Sequence, residues 1–427
     1  MDRSILHADM NCFYASVEQH LNPELRGIAM AVAGDPERRN GIILAKSREA
    51  KAMGVKTGEA IWQARGKCPG LVVVPPHYDQ YMRYSRLARR IYYDYTDLVE
   101  PFGLDESWLD VTGSLSLFGG SEMLVAQEIS ERVKAELGLT VSVGVSWNKV
   151  FAKFGSDEDR GDGVVHITRG NYRSTVWPFP VRELLYVGRA TERKLHGVGI
   201  CTIGELAQAP EQMLRRMLGK VGVVLRGFAN GMDSSLVKPM GAGGETARSA
   251  KSVGNGLTAP HDIVDRESAK ALVYLLAESV AQRLREMRMR AKLVSVSVRD
   301  AQDLLSYTRQ APLPCPSNIT SEIAGAAFRL LESNEPLDRS HPLRSLGVRA
   351  SRLETMDAPV QLGLFGDGQK RVEMEKLDFA IDSLRNRFGN SCVRRLAECS
   401  DESMAGLDIK RDNVVHPVGF FSDGMCL

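Results

Sequence analysis

Apolar and polar positions follow two periods along this chain, and each period predicts a kind of element. "SILHAD" (4–9) reads as a short strand ending in an acid. "NCFYASVEQHL" (11–21) follows with helical spacing and places Phe13, Val17 and His20/Leu21 on one face. "AMAVAG" (29–34) and "GIILAKS" (41–47) predict strands around the turn "DPERRNG". "QYMRYSRLARRIYYDYT" (80–96) predicts a long helix rich in Arg and Tyr. "ESWLDVTG" (106–113) is a strand closed by a turn, and "TVSVGVS" (140–146) alternates strictly. Between them "EMLVAQEISERVKAEL" (122–137) is amphipathic, with Leu124, Ile129 and Val133 expected inward. That order predicts a compact α+β unit with one sheet and helices on one face.

A Gly-punctuated helical region follows over 181–232, then the Gly-rich stretch "KPMGAGGETARS" (238–249), which predicts a linker. A long helix running into an alternating strand is predicted over 268–300, a second helix over 321–333 and another strand over 343–353. These form a second, smaller α+β domain. "DAPVQLGLFGD" (357–367) is a short segment around an isolated apolar cluster, with a helix after it over 373–388. No internal repeat is evident.

At 427 residues the chain is too long for one ordinary core, so three or four domains are expected. Hydrophobic residues at 43% and charged residues at 25% are those of a soluble globular protein. No apolar run approaches the roughly 20 residues that span a membrane, and "MDRSILHADM" lacks the form of a signal peptide. Seven scattered cysteines without CxxC or zinc spacing suit reduced thiols in a cytoplasm. A net charge of +2 neither requires nor excludes nucleic acid, because a local basic face can be balanced by acids elsewhere.

In "FGLDESWLDVTG" (102–113), Asp105 and Glu106 stand side by side in an otherwise apolar stretch. Two adjacent anions repel, and burying either is costly unless it is paired. A tight turn with solvated acids explains the pair. So does a bound cation: if the first strand lies beside this hairpin, Asp9 joins the two at one sheet edge. Such a cluster suits one or two Mg²⁺, which bind carboxylates, water and substrate phosphates. Two ions about 4 Å apart serve an in-line phosphoryl displacement.

"HADMNCFYASVE" and "FGLDESWLDVTG" resemble the two metal motifs of Y-family translesion DNA polymerases, of the DinB (DNA polymerase IV-like) branch. "SVGVSWNKVFAKFGSD" (142–157) is similar to the third palm motif of that family. The resemblance runs in order to about residue 355. It implies a multidomain α+β right-hand polymerase: palm at 1–10 and 76–165, small fingers at 11–75, and a helical helix-hairpin-helix thumb at 166–235. A linker would span 236–244, an α+β little finger 245–355, and a C-terminal segment 356–427. The implied reaction is attack of a primer 3′-OH on a dNTP, low in fidelity and directed by a DNA template. Asp9, Asp105 and Glu106 would hold two Mg²⁺, with the Met10 carbonyl as a further ligand. Tyr14 falls at the steric-gate position that excludes a ribose 2′-OH. Backbone amides of Asn11, Cys12 and Phe13 would cradle the triphosphate at a helix start.

The chain departs from the family pattern in places. The usual triphosphate-contacting Tyr-x-x-Arg reads Arg48 and Lys51, and Arg160 stands at a later phosphate-binding Lys. All remain cationic, and Arg offers bidentate geometry. Val32 and Ile42 match the roof over the nascent pair, and Ile42 is bulkier than the small residue often found there.

"YVGRATERKL" (186–195) is similar to a helix-hairpin-helix, with Tyr186 where the first hairpin Gly usually stands. Amides at Val187, Gly188, Arg189 and Ala190 would point at a DNA phosphate. "RLREMRMRAK" (283–292) is expected to offer Arg285, Arg288, Arg290 and Lys292 to duplex phosphates. "QLGLFG" (361–366) resembles the bacterial sliding-clamp-binding motif through Gln361, Leu362, Leu364 and Phe365, although about sixty residues follow it. The expected partners are primer-template DNA, dNTP and the clamp, with no membrane, for a cytoplasmic monomer. Two other readings compete. A non-catalytic adaptor of the same fold has no use for costly clustered acids. A nucleotide cyclase has none for the thumb-like and little-finger-like regions.

Overall fold

Asp9 and Glu106 are carried by two neighbouring strands of one sheet and Asp105 by the bend that leads into the second, which the chain order builds as follows. The computed structural model describes residues 2–35, 41–157, 163–239, 250–359 and 368–396. The chain opens with β1 (Ile5–Met10) and α1 (Phe13–Leu21). A small lobe follows: β2 (Met30–Ala33), β3 (Ile43–Lys46), α2 (Arg48–Ala52), α3 (Ile61–Lys67) and β4 (Val72–Val74). The chain then returns through α4 (Tyr78–Tyr93), β5 (Val99–Pro101), β6 (Glu106–Asp110), α5 (Glu122–Leu137), β7 (Val141–Ser146), α6 (Lys149–Gly155) and β8 (Val164–His166). Five further helices are short: α7 (Tyr172–Thr175), α8 (Arg189–His196), α9 (Ile203–Gln208), α10 (Glu211–Leu218) and α11 (Lys220–Ala229).

Two compact units result. Among the described residues, 2–33 and 43–239 belong to the first, and 34–35, 41–42, 250–359 and 368–396 to the second.

In the first unit a five-stranded sheet runs β5-β6-β1-β7-β8. β1 is central, antiparallel to both β6 and β7, and its six residues are nearly all buried. A second sheet of order β3-β2-β4 carries the small lobe. α5 buries Val125, Ile129 and Val133, whereas Leu124, expected inward, is 53% exposed. α6 packs tightly on β7: a Cβ on Gly144 would lie 1.9 Å from the Ala152 carbonyl oxygen. Only glycine permits that approach. The helical region shares a core with α6 through Trp147, Phe151, Leu195, Ile203 and Leu225. Val237 and Lys238, at the start of the expected linker, contact the first unit. Val237 is buried beside Ile5, Trp108 and Ala152, and the Lys238 amide donates to Glu100 at 2.8 Å.

The second unit contains β9 (Ser252–Ile263), α12 (Arg266–Glu286), β10 (Met289–Asp300), β11 (Ser306–Ser317), α13 (Thr320–Glu332), β12 (Leu343–Thr355) and α14 (Gly368–Phe388). Its antiparallel sheet has the order β11-β10-β12-β9. Val294, Val296, Val298, Leu346 and Val348 are buried on the face that α12 and α13 cover. The opposite face is polar: Ser297 pairs with Thr308 and Gly347, Arg299 with Ser306 and Ser345, and Arg349 with Ser295.

α14 inverts the usual helix pattern. Its buried residues are Asp378, Asp382 and Arg385, while Leu377 and Phe388 are exposed. Arg285, 2% exposed at its side chain, donates to Asp382 at 2.6 and 2.9 Å and to Asp378 at 3.2 Å. This corrects the expectation that Arg285 contacts DNA, since a guanidinium sealed between two carboxylates cannot reach a phosphate. Arg290 is likewise turned inward, onto Glu375 of α14 at 3.1 Å and the Met356 carbonyl at 3.2 Å. Arg288 and Lys292 are exposed and pair with Asp357 and Glu354. The basic run is therefore not a continuous phosphate track.

Candidate active site

The antiparallel register sets Asp9 directly opposite Glu106, and the Met10 amide donates to the Asp105 carbonyl at 3.1 Å. Asp9, Asp105 and Glu106 thus meet at one end of the sheet, the arrangement expected if the first strand lies beside the hairpin. They line a cleft of about 580 Å³ together with Met10, Asn11, Cys12, Phe13, Tyr14 and Lys51. Burial, then the charges of Glu106 and Asp105, push the Asp9 carboxyl up to about 8. Burial, then Glu106, raises Asp105 to about 6. Such a site is short of positive charge.

Glu106 behaves differently. Burial would raise it, but His7 and Lys153 hold it below the ordinary carboxylate range. The Lys153 ammonium donates to its Oε2, and His7 Nε2 lies 3.3 Å from the same oxygen. His7 is fully buried, contacts Ser156 Oγ through Nδ1 at 2.6 Å, and is driven down to about 4 first of all by that burial. It is therefore neutral near pH 7.

The donor set fits Mg²⁺: three carboxylates and a main-chain carbonyl are hard oxygen ligands, and two of the carboxyls are raised by burial and by their neighbours' charges, which a bound cation would offset. Among the described residues no three acid, His or Cys side chains already close around an ion. Glu106 is turned onto Lys153 and His7 instead.

Of the aromatics Phe13, Tyr14 and Phe154 that line the cleft, Tyr14 is the half-buried one. Its ring stacks on Tyr81 with centroids 4.1 Å apart and planes at 8°, and Tyr78 meets it edge-on at 6.1 Å. Tyr81 in turn donates to the buried carboxylate of Glu18. The ring is thereby held from behind.

Other expected residues divide. The Asn11 amide donates to the Thr140 carbonyl at 2.9 Å, so it does not cradle a phosphate. Cys12, at φ 49°, and Phe13 begin the helix. Lys51 lines the cleft, whereas Arg48 is exposed and is not among the lining residues. Val32 is fully buried in β2, and neither it nor Ile42 lines the cleft; Leu44, Lys46 and Thr57 do. Arg160, Gln361, Leu362, Leu364 and Phe365 lie outside the described residues.

A second cleft, of about 1000 Å³, opens beside α8 and is lined by Gly188, by Arg182, Arg189 and Arg193, and by the acids Asp157, Glu183 and Glu192. Tyr186 takes φ 69°, the left-handed conformation that a glycine would adopt more readily. The Val187 amide donates to the Leu184 carbonyl at 3.0 Å, so of the four expected amides Val187 is spent inside the protein, while Gly188, Arg189 and Ala190 stand at the helix start. Sequence reasoning missed His7, Lys153 and Ser156 because their partners lie in distant segments. It also missed the polar sheet face of the second unit, although the alternation in "VSVSVRD" carries that signal.

Sequence profiles of the impB/mucB/samB family and of its C-terminal domain match residues 8–157 and 250–364. The chain belongs to this family. It stands on the DinB, DNA polymerase IV-like branch of the Y-family polymerases. DNA polymerase IV of Acetivibrio thermocellus is 47% identical over 395 residues, 92% of this chain and 97% of the relative. DNA polymerase IV 1 of Bacillus subtilis is 37% identical over 401 residues, 94% of each chain. A solved Y-family DNA polymerase chimera shares the fold at a TM-score of 0.69 and 22% identity, over 82% of this chain and 99% of its own. The multidomain α+β fold is thus that of a right-hand polymerase. Among the described residues no helix is long and apolar enough to cross a membrane.

Proposed function

We propose that this chain is a DNA-template-directed DNA polymerase of low fidelity that performs translesion synthesis, with Asp9, Asp105 and Glu106 as its metal ligands. The observation that carries the reading is the register pairing of Asp9 with Glu106 beside Asp105, two of the three carboxyls being raised. When bound, two Mg²⁺ ions supply Lewis-acid activation of the primer hydroxyl and charge neutralisation at the phosphates. The chain's own residues do the rest. The three carboxylates and the Met10 carbonyl set where the cations sit. Cys12, Phe13 and Lys51 face the anionic end of the dNTP, while Tyr14, backed by Tyr81, blocks the 2′ position of the sugar. Leu44 and Thr57 bound the cleft and would contact the base.

For DNA, what supports binding is the Gly188–Ala190 helix start with its three arginines, and the polar sheet face bearing Arg299 and Arg349. Neither reads sequence, as copying any template requires. Residues 361–366 would join the sliding clamp, and the protein would act as a monomer in the cytoplasm. The adaptor reading is not favoured, since the carboxylates it could dispense with are retained.

Primer extension with Mg²⁺ and four dNTPs tests the proposal. Wild type should extend, and Asp105→Ala should lose about 10²–10⁴-fold in rate, matching several kcal/mol of metal-borne stabilisation, with DNA affinity kept. An Asp105→Ala protein that extends normally would sink it. Deleting 361–366 should abolish clamp stimulation while leaving basal extension intact; unchanged stimulation would remove the clamp assignment.

A further inference from the structure

Lys153 stands on the Glu106 carboxylate, in the middle of an acid cluster that needs cations. Its ammonium donates to Glu106 Oε2 and sits 5.2 Å over the Phe102 ring. Its charge also bears on Asp9 and Asp105, holding both lower than burial alone would set them. α6 fixes its place: Gly144 allows the helix to lie against β7, and Ser156 at the end of α6 contacts His7 beneath Glu106. The lysine is thus anchored by packing rather than reaching in from the surface.

We propose that Lys153 is a displaceable counter-ion that competes with the divalent cation for Glu106. The inference rests on the metal-ligand reading above. Glu106 Oε2 cannot serve an ammonium and a divalent cation together, because the two positive charges would lie within a few ångströms of each other. Before metal binds, Lys153 pairs the carboxylate that burial would otherwise leave uncompensated. For metal to bind, Glu106 must turn from Lys153 toward Asp9 and Asp105. Lys153 stays protonated throughout; only its partner changes. The device keeps metal affinity low until the divalent charge outcompetes the ammonium for Glu106.

Mn²⁺ binding to the full-length protein without nucleotide, read by electron paramagnetic resonance, tests this. Lys153→Met should bind Mn²⁺ at least fivefold more tightly than wild type, and Lys153→Arg no more tightly than wild type. Asp105→Ala serves as the control for the underlying site, and loss of Mn²⁺ binding there upholds the ligand assignment independently. Equal affinity in wild type and Lys153→Met, with the Asp105→Ala effect intact, overturns the counter-ion role alone. A second measurement needs no variant. Acetylation of wild type followed by mass spectrometry should modify Lys153 faster when Mg²⁺ is added. Lys149, paired with Glu100 at 2.7 Å, should not change. An unchanged Lys153 rate overturns the proposal as well.

Discussion

Replacing Arg285 with Ala should unfold the second unit more easily without weakening DNA binding directly. The guanidinium spends its donors inside the protein: two on Asp382, one on Asp378 at 3.2 Å and one on the Asn318 carbonyl at 2.7 Å. Asp378 keeps Arg395 and the Thr320 amide after the change, whereas among the described residues Arg285 is the partner of Asp382. A buried carboxylate left unpaired costs about 3–5 kcal/mol. For a unit of this size each kcal/mol moves the midpoint by about 2–4 °C, so the transition should fall by roughly 6–20 °C. Asp382→Ala alone should cost a similar amount. The double replacement Arg285→Met with Asp382→Leu should cost much less than the sum, because apolar groups can replace an intact buried pair. Scanning calorimetry of the full chain measures the first effect and fluorescence anisotropy with duplex DNA the second. An unchanged midpoint with weakened DNA binding would refute the reasoning and return Arg285 to the DNA interface.

Further outcomes follow from the site. Tyr14→Ala should raise ribonucleotide incorporation at least about tenfold, or ~1.4 kcal/mol of lost discrimination; primer extension with rNTPs measures it, and unchanged sugar selectivity would displace Tyr14 as the gate. Asp9, raised to about 8 in the metal-free site, must give up its proton to bind metal, so Mg²⁺ affinity should climb by up to about tenfold per unit between pH 6 and 8 and level off above. The same shift makes the metal-free fold gain stability as pH falls from 8 toward the ordinary carboxylate range, since the folded state then holds a proton the unfolded chain lacks. Calorimetric titration at pH 6, 7 and 8 decides the point, and a flat affinity would contradict it. Gly144→Ala should cost roughly 3 kcal/mol or more, because its methyl would meet the Ala152 carbonyl oxygen at 1.9 Å; a near-neutral denaturation midpoint would count against the close packing of α6.

What could be read from the chain was what local spacing controls. The acid cluster needed only that a strand ending at Asp9 lie beside one beginning at Glu106. What escaped was set by distant partners or by weak local signals. β9 and β11 are the two edge strands of their sheet, and edges tolerate the glycines and prolines that hide a strand: Gly254, Gly256 and Pro260 in one, Pro312, Pro314 and Pro316 in the other. α5 was given the wrong phase at one position, Leu124 for Val125, because adjacent apolar residues leave the buried stripe undecided. Arg285 was misjudged because a basic run is ordinarily solvated, whereas its carboxylate partners stand 93 and 97 residues later, on a helix whose buried face is charged. The same reason accounts for Lys153. A lysine on a short helix gives no local sign that a carboxylate 47 residues earlier awaits it, yet that pairing decides how the acid cluster exists before metal arrives. Charge pairing across the fold therefore separates the acids proposed as metal ligands from the cations that pair with them.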